Sequence, residues 1–207
     1  LTFDNAVQVW WEVPIEPGDV LQSTSVFDPN FVPSVDVSEV AGTSHPVGYK
    51  PLASSRAVLY DNGPLVNSPG TGAGGADESV LHSGLGTYGF GVQYPLDYRM
   101  ADDFEVTGNW NISDIVLYGY QTNSGMSSTF VGAYVEIYDG DPSAGGTVIW
   151  GDLVTNRLIE TDWTGIYRVN VVNGGTARPI MYLVCETPGL SLTPGTYWME
   201  YSLDGTG

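Results

Sequence analysis

Residues 101–142 read ADDFEVTGNWNISDIVLYGYQTNSGMSSTFVGAYVEIYDGDP. Three stretches rich in β-branched and aromatic residues, 101–106, 112–120 and 129–138, alternate with turn-forming clusters. Those clusters are Thr107-Gly108-Asn109, Asn123-Ser124-Gly125 and Asp139-Gly140-Asp141-Pro142. Runs of this length and composition, bounded by Gly, Asn, Asp and Pro, predict short strands joined by turns. The pattern extends in both directions. Strands are expected over 147–150, 165–172, 178–186 and 195–201, with turns at Asn173-Gly174-Gly175 and Pro188-Gly189. Upstream, Val58-Leu59-Tyr60 ends at Asp61-Asn62-Gly63, with a Gly-rich loop over 69–76 and a short helix predicted over 77–82 after it. Many strands at this spacing specify an all-β fold: an antiparallel β-sandwich, jelly-roll-like.

Composition agrees. Gly 27 and Pro 13 in a chain of 207 residues, with only 14% charged residues, fit turns and strands rather than a helical bundle. A hydrophobic content of 42% is enough for a sizeable core and argues against a disordered chain. The balance of 6 Lys+Arg against 24 Asp+Glu gives a net charge of −18. Such a chain lacks the clustered cations that hold nucleic acid and is repelled by anionic lipid. No run has the length of a transmembrane helix, and no secretory-leader pattern is present, so a processed mature chain is expected. Cys185, the single cysteine, lies in the apolar run Ile180-Met181-Tyr182-Leu183-Val184-Cys185 and reads as a buried, inert thiol.

The N-terminus carries a second pattern. The odd positions of residues 1–13 are Leu1, Phe3, Asn5, Val7, Val9, Trp11 and Val13, apolar at all but Asn5. This is period-two alternation over a strand of roughly 40 Å, long by the standard of globular proteins. Pro14 and Pro17-Gly18 end it, and Pro29, Pro33, Pro46 and Pro51 interrupt the segment up to residue 57. Residues 1–57 therefore read as an extended N-terminal arm, a donor strand plus a Pro-rich linker, and residues 58–207 as the sandwich. The neighbours Trp10 and Trp11 face opposite ways on a strand, so one of them meets solvent or a partner.

Candidate chemistry is sparse. His45 and His82 lie in separate loop-like segments, and no metalloprotease, nucleophile-elbow or phosphate-loop spacing appears. A hydrolase would draw on Asp102, Asp103 and Glu136, but adjacent strand residues point to opposite faces, so Asp102 and Asp103 form no acid/base pair by themselves. Asp139 and Asp141, two residues apart in a turn, suit an oxygen-rich shell for a structural Ca²⁺, with Asp102 and Asp103 as further candidate metal ligands. No cofactor is required. The aromatics could stack on a glycan, although Trp110, Trp150, Trp163 and Trp198 sit in or beside strands, where an indole ordinarily fills the core. Asn111-Ile112-Ser113 has the form of an N-glycosylation sequon.

From residue 59 to 203 the chain resembles an uncharacterised class of secreted microbial β-sandwich surface domains. The elements are LYDNG (59–63), GAGGAD (72–77), ADDF (101–104), YGYQT (118–122), IYDGDP (137–142), WGD (150–152), WTGIYRV (163–169) and PGTYW (194–198). The resemblance implies an exported or cell-surface location, no established enzyme activity, and a domain that continues past residue 207. The arm lies outside it.

Together these readings lead to one expectation: an extracellular, non-enzymatic structural subunit that forms a homo-polymer, a filament or surface layer, by β-strand complementation. Leu1, Phe3, Val7, Val9, Trp11 and Val13 would form the inserted face, the assembly interface. The alternative is a secreted carbohydrate-binding or adhesive module, stabilised by Ca²⁺, whose arm folds back on its own sheet.

Overall fold

The computed structural model describes residues 9–14, 56–82 and 87–206. Its strands are β1 (Val9–Pro14), β2 (Arg56–Asp61), β3 (Asp77–Val80), β4 (Met100–Val106), β5 (Trp110–Gly119), β6 (Phe130–Tyr138), β7 (Val148–Asp152), β8 (Leu158–Val169), β9 (Pro179–Leu192) and β10 (Gly195–Gly205). They form two sheets packed as a β-sandwich, one ordered β2-β1-β5-β9-β8-β3 and the other β4-β10-β6-β7. All neighbours are antiparallel except β3, which runs parallel to β8 at one edge. No helix among the described residues is long and apolar enough to cross a membrane.

The hydropathy of each strand reflects how many of its faces are covered. In β6 and β10 apolar and polar positions alternate. Val135, Ile137, Met199, Tyr201 and Leu203 enter the core between the sheets, whereas Glu136, Tyr138, Trp198 and Glu200 occupy the alternate positions. The apolar runs of β5 and β9 are continuous because both faces are buried. Ile115, Leu117, Met181, Leu183 and Cys185 fill the inter-sheet core, while Val116, Tyr118, Ile180, Tyr182 and Val184 form a second cluster on the outer face. That outer face is covered by Leu65 and Val66, in the segment that leads from β2 at one edge of the sheet to β3 at the other. Cys185 is fully buried, and burial pushes its thiol pKa well up.

Three local expectations change. Residues 77–80 form a strand, not the start of a helix. A run this short cannot meet the cost of helix nucleation, and the β8 backbone offers a ready ladder from Asp77↔Ile166 to Val80↔Val169. Pro188-Gly189 does not end β9. Gly189, at φ 74°, sits in a bulge that lies between the pairs Asp114↔Glu186 and Ile112↔Leu190, and the Thr187 hydroxyl donates to the Ile112 carbonyl at 2.7 Å. β8 starts at Leu158 rather than near 165, through a half-polar stretch whose alternation is too weak to read.

Of the N-terminal arm, residues 9–14 are placed as β1. Leu1, Phe3 and Val7 of the expected inserted face, His45, and the linker over 15–55 lie outside the described residues.

Candidate functional site

β1 is not an edge strand. It pairs with β5 on one side, through Val9↔Leu117, Trp10↔Val116, Trp11↔Ile115 and Glu12↔Asp114. On the other side it pairs with β2, through Trp10↔Asp61, Trp11↔Tyr60, Glu12↔Val58, Val13↔Ala57 and Pro14↔Arg56, with a register shift between Trp11 and Glu12. Directly opposed residues of antiparallel strands share a sheet face. Val9 and Trp11 thus take register positions with Leu117 and Ile115, both fully buried in the inter-sheet core. Of the expected inserted face, Val9 and Trp11 have register partners on β5 and Val13 has one on β2, while Leu1, Phe3 and Val7 lie outside the described residues. Trp10 takes a position with Val116 on the other face.

The two walls of this slot are held in different ways. β5 is fixed by its long ladder to β9. β2 has no described sheet neighbour except β1, yet it is tied to the opposite sheet. The Tyr60 ring lies 5.9 Å from that of Phe104, and Asn62 Nδ2 donates to Asp102 Oδ2 at 2.8 Å. Burial, and after it the nearby Asp102, Asp103 and Asp61 carboxylates, pushes the Tyr60 hydroxyl pKa up.

The expected metal ligands do not converge. Asp102 and Asp103 are opposite Met199 and Trp198 respectively, and so lie on opposite faces of β4. Asp139 Oδ1 accepts from the Thr147 amide at 2.6 Å, and Asp141 Oδ1 accepts from the amide and hydroxyl of Ser143, both at 2.7 Å. Those two carboxylates cap their own loop. Among the described residues no three His, Cys, Asp or Glu side chains cluster in a way that could hold a metal ion.

A second constellation lies on the outer face of the four-stranded sheet. Glu136 and Glu200 are directly opposed across β6 and β10, and the Tyr138 hydroxyl lies 2.5 Å from Glu136 Oε1 and 2.7 Å from Glu200 Oε2. Arg99 ties Asp97 at 2.6 Å to this pair, 3.8 Å from Glu200. One hydroxyl hydrogen serves one acceptor at a time, so Tyr138 satisfies one of the two carboxyls at any moment. Burial raises the pKa of Glu136; the facing Glu200 adds to the rise, and Tyr138 and Arg99 oppose it. The folded chain therefore holds a proton on Glu136 more tightly than the unfolded chain. The stability it contributes is full below the ordinary carboxylate range and falls as pH rises from there through the raised pKa. Glu136→Gln is expected to stabilise the protein at pH 7 by roughly 0.5–1 kcal/mol, the scale of a cross-strand like-charge pair. The gain should vanish near pH 4, as thermal unfolding at the two pH values would show.

Glu136 is thus brought to Glu200, a partner that the sequence alone does not name. Asp103 lies on the same face but is separated from Glu136 by β10. The alternation of residues 195–201 carries the signal for Glu200, since it places that side chain on the face opposite Met199. Trp150 and Trp163 pack against the core and donate to the carbonyls of Pro188 and Ile166, each at 3.2 Å, and Trp110 packs there as well. Trp198 does not. It stands in one row with Tyr138 and Asp103 on the outer face. Asn111 of the sequon is exposed on β5 and accepts from the Ser191 hydroxyl at 2.8 Å. Compared with protein-family models, curated proteins and solved structures, the chain has no match.

Proposed function

We propose that this protein is a non-catalytic structural subunit that works outside the cell and assembles with copies of itself by N-terminal strand complementation, building a filament or surface layer. The observation that carries the reading is the interior position of β1. A strand from the far N-terminus completes the middle of a sheet, and the register partners Pro14 and Arg56 are joined through residues 15–55. That connection, extended, spans roughly 130 Å. The same strand can therefore fill its own slot or that of a neighbour with the same contacts. Exchange is close to neutral in contact energy, and chain concentration decides between the closed monomer and the polymer. A net charge of −18 supports solubility of such an assembly and opposes non-specific association. Electron microscopy of the native protein over a range of concentrations tests the reading. Regular filaments or sheets at high concentration are expected, and dispersed monomers at every concentration would overturn it.

One observation favours a second reading, an adhesive module with a glycan ligand. The row Tyr138, Trp198 and Asp103 joins two aromatic rings to a carboxylate acceptor on an outer sheet face. On this reading Trp198→Ala abolishes saturable binding to a polysaccharide in a glycan panel, with a loss of at least about ten-fold in affinity. Failure of the unaltered protein to bind any member of the panel removes it.

A further inference from the structure

We propose that Asn62 and Asp102, backed by Tyr60, form a clasp that holds the far wall of the strand slot in place, so that the slot is built before any strand enters it. The strand that the clasp prepares for is that of a second copy of this chain, and this identity of the occupant rests on the strand-exchange reading above.

The two walls are unequal once the slot is empty. Without β1, β5 keeps its ladder to β9, but β2 keeps no described backbone partner in its sheet. An unpaired six-residue strand does not hold its position by itself. What remains on β2 is a set of contacts that bypass β1. Leu59 and Tyr60 pack on the inter-sheet core, the Tyr60 ring meets Phe104, and Phe104 in turn meets Tyr197 at 6.0 Å. At the end of the strand Asn62 reaches Asp102 across the sandwich, while Asp61 Oδ1 accepts from the Gly63 amide at 3.0 Å and fixes the turn. Immediately beyond, Leu65 and Val66 are anchored on the outer face of β5, β8 and β9. β2 is therefore held at both the core and the strap, one strand-width from the position of β1. In this arrangement Asp102 is a positioning residue of the acceptor, because its carboxylate receives the hydrogen bond that registers β2 against β4.

The experiment uses the full chain with Glu12→Cys and Val58→Cys, which are register partners on β1 and β2. The native Cys185 is fully buried and does not compete. A short bismaleimide then reports slot occupancy in two formats. The doubly substituted chain reports closure within one molecule, and an equal mixture of the two single variants, unfolded and refolded together, reports closure between molecules. Adding Asn62→Ala or Asp102→Ala is expected to lower total crosslinking about five-fold, the scale of one lost hydrogen bond at the mouth of the slot. Asp102→Asn keeps an oxygen acceptor for Asn62 and is expected to restore most of it, while the thermal midpoint moves by only a few degrees in all three. Unchanged crosslinking in Asn62→Ala overturns the clasp. Crosslinking confined to the doubly substituted chain overturns exchange with a second copy and leaves the clasp standing. No crosslinking in either format of the background protein overturns both.

Discussion

Removal of residues 1–13 is expected to abolish assembly and to leave a soluble, folded but destabilised sandwich that recovers on addition of the excised strand as a peptide. β1 contributes two ladders, to β5 and to β2, and without it the ten-residue β5 edge stands open beside the buried positions Ile115 and Leu117. Losing an interior strand of this kind removes two runs of backbone hydrogen bonds and opens the sheet beside two core residues, a cost of at least about 3 kcal/mol. The rest of the sheet does not depend on β1. β5, β9 and β8 keep their ladders, and the strap of Leu65 and Val66 keeps its cluster. A peptide of residues 1–13 should therefore bind saturably and raise the thermal midpoint. A peptide in which the apolar positions are moved by one residue should not bind, because the slot reads one face only. Within the full chain, Trp11→Asp places a charge at the register position of Ile115 and Tyr60 and should reproduce the truncation. Filaments formed by the truncated chain, indistinguishable from those of the full chain by electron microscopy, would sink the assembly reading.

The ease with which β1 can be anticipated, and the difficulty of seeing its slot, have the same physical origin. Strand periodicity is a local property: Val9, Trp11 and Val13 share a face because the chain is pleated, whatever they pair with. The continuous runs of β5 and β9 are legible as strands for a related reason. Their apolar character on both sides also implies a covered outer face, but not which segment covers it. Contacts between distant segments leave no such trace. Asn62 and Asp102 are 40 residues apart, and neither residue type in a turn or strand announces a partner in the opposite sheet. The Glu136–Glu200 pair requires the β6–β10 register, and bulges such as those in the β5–β9 and β8–β9 ladders show that registers here shift without a mark in the sequence. At 77–80 the run is too short for period two and period 3.6 to differ, and the β8 edge decides the outcome.

The largest effect of a single substitution at a charged residue is expected at Glu78, for the same reason that its sequence context gives no hint of it: its partners are largely backbone. Glu78 is fully buried on β3, where its carboxylate accepts from the Thr71 hydroxyl at 2.6 Å, the Asn173 amide at 2.7 Å and the Gly174 amide at 3.2 Å. One side chain thereby joins the loop before β3 to the turn after β8. Burial by itself raises this carboxyl's pKa, but the three donors outweigh it and hold the pKa below the ordinary value. Glu78→Ala strands those donors and empties the site, at an expected cost of about 3–4 kcal/mol, or a fall of roughly 6–16 °C in Tm. Glu78→Gln keeps one acceptor oxygen but turns an amide group toward a donor, and should cost about half as much. The pH dependence separates this charge effect from simple packing. The folded pKa is depressed, so the contribution is fully present above the ordinary carboxylate range and is lost as pH falls through the folded value. The gap in Tm between the native protein and Glu78→Gln should therefore be widest near pH 7 and should close steadily below about pH 4. A gap of constant size across that range would mean that shape, not the ionised carboxylate, joins the two loops.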